Sequence, residues 1–282
     1  MFRRHFWSIF IVAAFPAYAD SCIELVPHRN QLPMPGIFLE LELESACILE
    51  SGIYGFSTNL TRSNTTTISP DNNLIYPRLI LDHEREEVTV KVEAGLGSGW
   101  DLNIRLRYLK DWVGDWDHFM RQFHKVTGLP YESRKVRPDR KFLYWQYRPE
   151  NNDNEQFIWI TKTQKANGDY VLILSKQHGA FLGSPEVKWS TRLVYKHPSA
   201  DDLPTISSGT RDYGISTAAE GSGAWRDRNV QWLVNLGLVH AGETEHTLYE
   251  QNRTFFSGGG GVSTSFNAVS YTHLTLPTSD LV

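Results

Sequence analysis

From Val88 to Tyr108 the chain alternates between apolar and polar residues. Val88, Val90, Val92, Ala94 and Leu96 are interleaved with Thr89, Lys91, Glu93 and Gly95. After Gly97-Ser98-Gly99, the residues Trp100, Leu102, Ile104, Leu106 and Tyr108 are interleaved with Asp101, Asn103, Arg105 and Arg107. A period of two on both sides of a glycine-containing turn predicts a hairpin with one apolar and one polar face. The second strand carries an aromatic residue at each end of its apolar face. A tilted strand that crosses a bilayer needs about 9–11 residues, with aromatic girdles where it meets the interfaces. Trp100–Tyr108 meets both conditions, so the expected fold is all-β: an antiparallel up-and-down transmembrane β-barrel, apolar faces to lipid and polar faces to a wet lumen. The alternative is a soluble barrel of lipocalin type, in which the faces of Trp189 and Trp232 are buried in protein.

The same pattern recurs along the chain. Gly52–Ser63 places Tyr54, Phe56, Thr58 and Leu60 opposite Gly55, Ser57, Asn59 and Thr61. Val187, Trp189, Thr191, Leu193 and Tyr195 oppose Lys188, Ser190, Arg192 and Lys196, and Tyr213, Ile215, Thr217 and Ala219 oppose Gly214, Ser216 and Glu220. Val230–Leu238 repeats the arrangement around Trp232. Weaker strands are expected at Leu74–Leu81, which carries Pro77, at Lys141–Tyr147, Phe157–Thr163 and Tyr170–Lys176, and at the glycine-rich Phe255–Phe266. The sum is ten or eleven strands here and about 12 in a complete, even-numbered barrel. Ile37–Glu44 alternates leucine with glutamate; it reads either as a first strand or as part of a periplasmic lead-in covering residues 20–36. One short amphipathic helix is expected in a long connection, with Trp112, Trp116, Phe119, Met120 and Phe123 on one face and a stop at Gly128 and Pro130. Such a helix can cap the barrel, plug it or lie on a membrane surface. Strand parity puts the connections near 110–139, 197–211 and 240–254 at one end, the outer one, provided that Ile37–Glu44 is a strand.

The two ends of the chain set the compartment. Arg3, Arg4 and His5 precede an apolar stretch and Ala17-Tyr18-Ala19, the order of a secretory signal at residues 1–19 with cleavage after Ala19. The leader contains two arginines and no acid, so the formal net charge moves from -4 to -6 on its removal. No basic excess points to nucleic acid. Beyond the leader no apolar run is long enough for a helical span, which leaves a closed barrel as the means of crossing. Export also permits a disulfide between Cys22 and Cys47, the alternative being two buried thiols. Residues 37–268 form the expected barrel domain, which is incomplete. From Val269 the alternation breaks, and residues 269–282 read as a non-native tail.

Three-residue turn geometry predicts Thr89 opposite Arg107, Lys91 opposite Arg105 and Glu93 opposite Asn103, with Glu93 bridging the repelling Lys91 and Arg105. With Lys188, Arg192 and Glu220 these residues are the expected lumen lining, as structural filling or as a filter for ions. His118, His124, His178, His240 and His246 have no serine or cysteine in a hydrolase pattern beside them, and the His240–His246 spacing fits no zinc motif. The expectation is a channel or small-solute transporter of the outer membrane, not an enzyme, with no cofactor and no metal. Its partners would be outer-membrane lipids, the barrel-assembly machinery and an unnamed solute. A lipid-modifying barrel enzyme or a structural envelope barrel is the alternative.

Four passages, RNQLPMPGIF, GLGSGWDLNIRLRY, DWDHFMRQFHKVTGLPYESRKVRPDR and HPSADDLPTISSGTRDY, resemble in order the landmarks of an uncharacterised family of predicted outer-membrane proteins of Gram-negative bacteria, known only as a domain of unknown function. The resemblance runs from Arg29 to about Phe266 and implies location and architecture, without a reaction.

Overall fold

The computed structural model describes residues 22, 36–68, 78–128, 143–148, 156–179, 181, 183–184, 186–200, 203–225, 228–244, 253–265 and 269–275. The expected leader, most of the lead-in and Pro77 lie outside them. Twelve strands form one antiparallel sheet: β1 (Tyr54–Ile68), β2 (Arg78–Gly97), β3 (Trp100–Trp112), β4 (Leu143–Arg148), β5 (Gln156–Ile160), β6 (Gln164–Asn167), β7 (Tyr170–Gln177), β8 (Lys188–His197), β9 (Asp212–Trp225), β10 (Arg228–His240), β11 (Thr254–Ser265) and β12 (Val269–Thr275). One helix, α1 (Asp117–Thr127), follows β3. The sheet curls strongly but stays open: β1 pairs only with β2 and β12 only with β11 among the described residues, so no closed barrel is formed. Residues Val269–Thr275, set aside above as tail, form the last strand.

The faces follow the alternation. Tyr54, Phe56, Leu60, Leu106, Tyr108, Leu193, Ile215, Val234 and Leu236 are exposed on the convex side, whereas Asp101, Asn103, Arg105, Arg107, Arg192 and Asn235 are buried on the concave side. Val171, Ile173, Val194, Leu233 and Val239 are buried on the concave side as well. The hairpin register is as expected, Thr89↔Arg107, Lys91↔Arg105 and Glu93↔Asn103. It is reached by a tight Ser98-Gly99 turn, both residues at positive φ, with a bulge between Gly95 and Gly97 absorbing the odd residue.

Three expectations are corrected. Leu74–Leu81 is not a separate strand: from Arg78 the chain runs without a break through Asp82-His83-Glu84-Arg85-Glu86-Glu87 into the hairpin, making β2 20 residues long. The charged run reads as a loop in sequence, but each of its faces finds partners on β1 and β3. Ile37–Glu44 is not a strand at all. It enters the concave side and passes from the Asp212 end, where the Leu39 amide donates to Asp212 at 2.8 Å, to the Gly95 end, where the Gly52 amide donates to the Gly95 carbonyl at 3.0 Å. Trp112 closes β3 rather than belonging to the helix. Because β2 is one strand, β1 and β2 have the directions that place the connections after β3, β8 and β10 at one end and the Ser98-Gly99 turn at the other, with no N-terminal strand needed.

The leucines of Ile37–Glu44 pack on a wall made shallow by glycine. A Cβ on Gly237 would lie 2.4 Å from a methyl of Leu41, and one on Gly259 would lie 2.7 Å from a methyl of Leu43. Leu39 joins Val171, Ile173, Val194 and Val239, Ala46 joins Ala218 and Leu233, and Ile37 and Phe38 join Ala241. Three of the apolar clusters therefore exist only because this segment is inside the curl. Gly237→Ala is expected to lower stability in urea unfolding by about 1–3 kcal/mol through overpacking. Gly261→Ala, where an added Cβ meets nothing within 4 Å, is expected to leave the midpoint unchanged.

Candidate functional site

The concave side holds charges that water would ordinarily solvate, and each must find a partner in the chain. The glutamates that alternate with Leu41 and Leu43 supply some of these. Arg105 Nη1 lies 2.9 Å from Glu42 Oε1, and its Nη2 donates to Glu44 Oε1. Lys91 Nζ lies 2.8 Å from Glu93 and 3.8 Å from Glu44. Glu93 therefore pairs with Lys91 and does not bridge to Arg105 as expected, because the inserted segment brings carboxylates closer to Arg105 than the neighbouring strand does. Arg107 makes a two-pronged contact with Glu87 at 2.7 and 2.8 Å. Arg192 donates to the Ser45 carbonyl, and Glu220 accepts from Ser45 Oγ at 2.8 Å and the Ala46 amide at 3.0 Å. Asn235 holds the backbone of Glu44 from both sides, accepting from its amide at 3.2 Å and donating to its carbonyl at 3.0 Å.

The expected lining residues Lys91, Glu93, Asn103, Arg105, Arg107, Lys188, Arg192 and Glu220 are thus all on the concave side; Lys91, Arg105, Lys188, Arg192 and Glu220 meet the chain's own residues 37–50, whereas Asn103 and Arg107 bond Glu93 and Glu87 of β2. Asp101 Oδ1, Asn103 Oδ1 and Arg192 Nη1 are buried with no hydrogen-bond partner among the described residues. A small recess between the inserted segment and the wall is lined by Glu40, Glu42, Glu44, Arg105, Arg192 and Ser216.

Both ends of this interior are fastened. At the hairpin-turn end, Cys22 and Cys47 form a disulfide with a Cα separation of 6.2 Å. Lys188 Nζ is 3.4 Å from both sulfurs, and a Glu220 oxygen is 3.0 Å from that of Cys47. With both sulfurs bonded to each other, this Cys-Cys-Glu cluster has no thiolate to offer a metal. Closing a loop of 25 residues stabilises the fold by about 3 kcal/mol through the lost freedom of the unfolded chain.

At the other end, residues 203–208 fold inward. Arg85 grips Asp111 at 2.7 and 2.8 Å and donates to the Thr205 carbonyl. Lys196 contacts Asp169 at 2.7 Å, Asp212 at 3.2 Å, Ser208 Oγ at 2.5 Å and the Ile37 carbonyl at 3.0 Å. Burial acts to raise the Asp111 carboxyl, but the guanidinium of Arg85 outweighs it and holds the group below the usual carboxylate range. Ile206, Ala200 and Leu109 seal the space beneath.

Helix α1 takes no part in this closure. By strand parity Arg62, Asn64, Glu84 and Trp112 lie on the convex side, and α1 is fastened there. Glu84 accepts from Arg62 at 2.7 Å, from Asn64 at 3.2 Å and from the Trp116 amide at the helix start, and Asn64 donates to Asp117 at 2.9 Å. Trp116 has no side-chain cap of its own, so Glu84 supplies the anion that the helix N-terminus favours. Burial raises the Glu84 carboxyl above its ordinary value, against the opposing pull of the Trp116 amide and Arg62. Of the histidines, His178 stacks on Trp189 at 4.0 Å and bonds Thr191, and His240 bonds Thr254. His118 and His124 are on α1, and His246 lies outside the described residues.

The family described as "protein of unknown function (DUF3187)" matches residues 4–276. The chain belongs to that family. No curated protein matches the DUF3187 chain. The part of the sequence-level resemblance that stands is therefore membership of a family without known function.

Sequence reasoning missed Glu42, Glu44, Glu87, Arg85, Asp111, Lys196, Asp169 and Asp212. The strict Leu/Glu alternation of 37–44 was a visible signal that two unlike surfaces flank that segment. Asp111→Ala leaves Arg85 buried and unpaired and is expected to cost about 3–5 kcal/mol in urea unfolding. Replacing both residues together, Arg85→Met with Asp111→Leu, is expected to cost clearly less.

Proposed function

We propose that this DUF3187 protein is an outer-membrane β-barrel that passes a small solute through a charged lumen, and that the arrangement described above is its closed state. The supporting observation is the inverted sheet. Its convex face presents Tyr54, Phe56, Leu60, Trp100, Leu106, Tyr108, Leu193, Ile215, Val234, Leu236 and Phe256 to the surroundings. A monomer in water rarely leaves an apolar patch of more than about 300–600 Å² uncovered, and a face this broad is what hydrocarbon demands. In this reading Val88–Leu96 and Trp100–Tyr108 are crossing segments and residues 1–19 are a cleaved export signal.

The lumen is then filled by residues 37–50, sealed by residues 203–208 at one end and held by Glu220 on Ser45 and Ala46 at the other. Ion pairs between its carboxylates and Arg105 are reversible, which suits a conduit that is held shut and can open. The unpaired Asp101, Asn103 and Arg192 atoms give a solute polar groups to meet once the segment moves.

Single-channel recording in planar bilayers tests the proposal. Wild-type protein is expected to open rarely. Glu42→Gln with Glu44→Gln, which removes both carboxylates from Arg105, is expected to open far more often, and adding Arg105→Ala is expected to shift the ion selectivity of those openings. No stepwise current from wild type or the double variant, with strand content intact by circular dichroism, would overturn the conduit reading.

A further inference from the structure

Helix α1 is built inside out in the same sense as the sheet. Its apolar side carries Trp116, Phe119, Phe123 and Val126, with Phe119 59% exposed, Phe123 43% and Val126 84%. Its buried residue is Asp117, 3% exposed, which faces Asn64 on the convex side of β1. The helix is thus attached to the protein by its polar side and turns its aromatic side away. Trp116 packs on Phe119 and Phe119 on Phe123 with centroids 6.2 and 6.3 Å apart, so the exposed rings form one continuous strip.

The position of the strip matters. On β1 the outward apolar run ends at Leu60 and is followed by outward Arg62 and Asn64; on β3 it ends at Tyr108 and is followed by outward Lys110 and Trp112. Lys110 lies 4.0 Å over the Trp112 ring, and Arg62 lies 5.3 and 4.7 Å over the rings of Trp112 and Trp116. Cations stacked on indoles, directly past the last apolar strand residue, are the chemistry of the headgroup level, where tryptophan and long basic side chains gather. From Tyr108 the outward apolar surface continues through Trp112 and the exposed Val113 to the strip on α1. The polar flank of the helix carries His118, Arg121 and Lys125, and its acid, Asp117, is buried.

We infer that α1 is an interfacial helix, its Phe119, Phe123 and Val126 side inserted among the acyl chains and headgroups of an anionic lipid surface, with Glu84, Arg62 and Asn64 holding it at that depth. The inference rests on the membrane reading above but is separable from it, because a spanning sheet needs no helix at its rim. An aromatic face flanked by basic residues is how helices that lie in the plane of an interface are composed. A protein partner covering the same strip would exclude lipid from Phe123.

Site-directed fluorescence decides between these. Single variants Phe123→Cys, Lys125→Cys and Leu236→Cys are labelled with an environment-sensitive dye; Cys22 and Cys47, bonded to each other, do not react. Each is placed in vesicles of phosphatidylethanolamine and phosphatidylglycerol that carry a lipid-borne quencher. The dye at 123 and at 236 is expected to shift to the blue and lose emission to the quencher, and the dye at 125 to do neither. Quenching at 236 without quenching at 123 would overturn the interfacial helix and leave the spanning sheet standing. Equal quenching at 123 and 125 would also overturn it, since a helix lying in the interface presents its two sides differently. No quenching at 236 would remove both readings together.

Discussion

Everything in this molecule answers to the charges on the concave side of the sheet. Arg85, Arg105, Arg107, Arg192 and Lys196 are each no more than 7% exposed, and an ionised group withdrawn from water costs several kcal/mol unless its partners are close and well aimed. Strand carboxylates serve Arg85, Arg107 and Lys196, but Arg105 stands opposite Lys91 and takes its carboxylates from elsewhere. Residues 37–50 make up the deficit with Glu42, Glu44 and backbone carbonyls, and residues 203–208 do so at the far end. The interior segment is therefore a condition of the fold as found, as much a part of the lining as the strands are.

That condition also explains the glycines. A segment with leucines on one side and glutamates on the other needs one wall that is basic and one that is apolar and recessed. The bases that meet the glutamates are Lys91 on β2 and Arg105 on β3, on a wall that carries inward acids as well. The recessed wall is β9 to β11, where Gly214, Gly237 and Gly259 stand at inward positions and receive Leu39, Leu41 and Leu43. Four consecutive glycines make β11 look poorly specified when read alone, since glycine in a strand is entropically costly and packs nothing. Part of its specification comes from across the lumen.

What could be read in the sequence follows the same division. The alternation of the hairpin fixed its faces, its register and the inward placement of Arg105, and that of β8 and β9 the inward placement of Arg192 and Glu220, since period-two patterning and turn geometry are local. The partners of Arg105 were not legible, because the carboxylates that reach it lie about sixty positions away in a segment whose Leu/Glu rhythm is equally that of a strand. The length of β2 was hidden for a related reason. Asp82–Glu87 is too charged to suggest a strand by composition, and only the burial of Arg85 against Asp111 and the capping of α1 by Glu84 make that run extended and ordered. Trp112 shared its spacing with the helix residues but ended β3, as the boundary between an alternating and a helical period is blurred where an aromatic fits both.

The placement of α1 on the convex side changes what can gate the interior. A helix in the connection after β3 is well placed in sequence to cover the mouth, but its fastening through Glu84, Arg62 and Asn64 commits it to the outside of the sheet, and the cover is made instead by residues 203–208 under Arg85 and Lys196. Movement of the interior segment toward the hairpin-turn end would separate Ile37 from Lys196 and Leu39 from Asp212 while leaving α1 untouched; movement toward the other end is opposed by the chain's own continuation into β1 and by the Gly52 amide on the Gly95 carbonyl. The two fastenings differ in kind, one made of reversible ion pairs and hydrogen bonds and the other of the backbone that continues into β1, while the Cys22–Cys47 bond closes a loop within the N-terminal stretch itself; opening therefore begins at the Lys196 end.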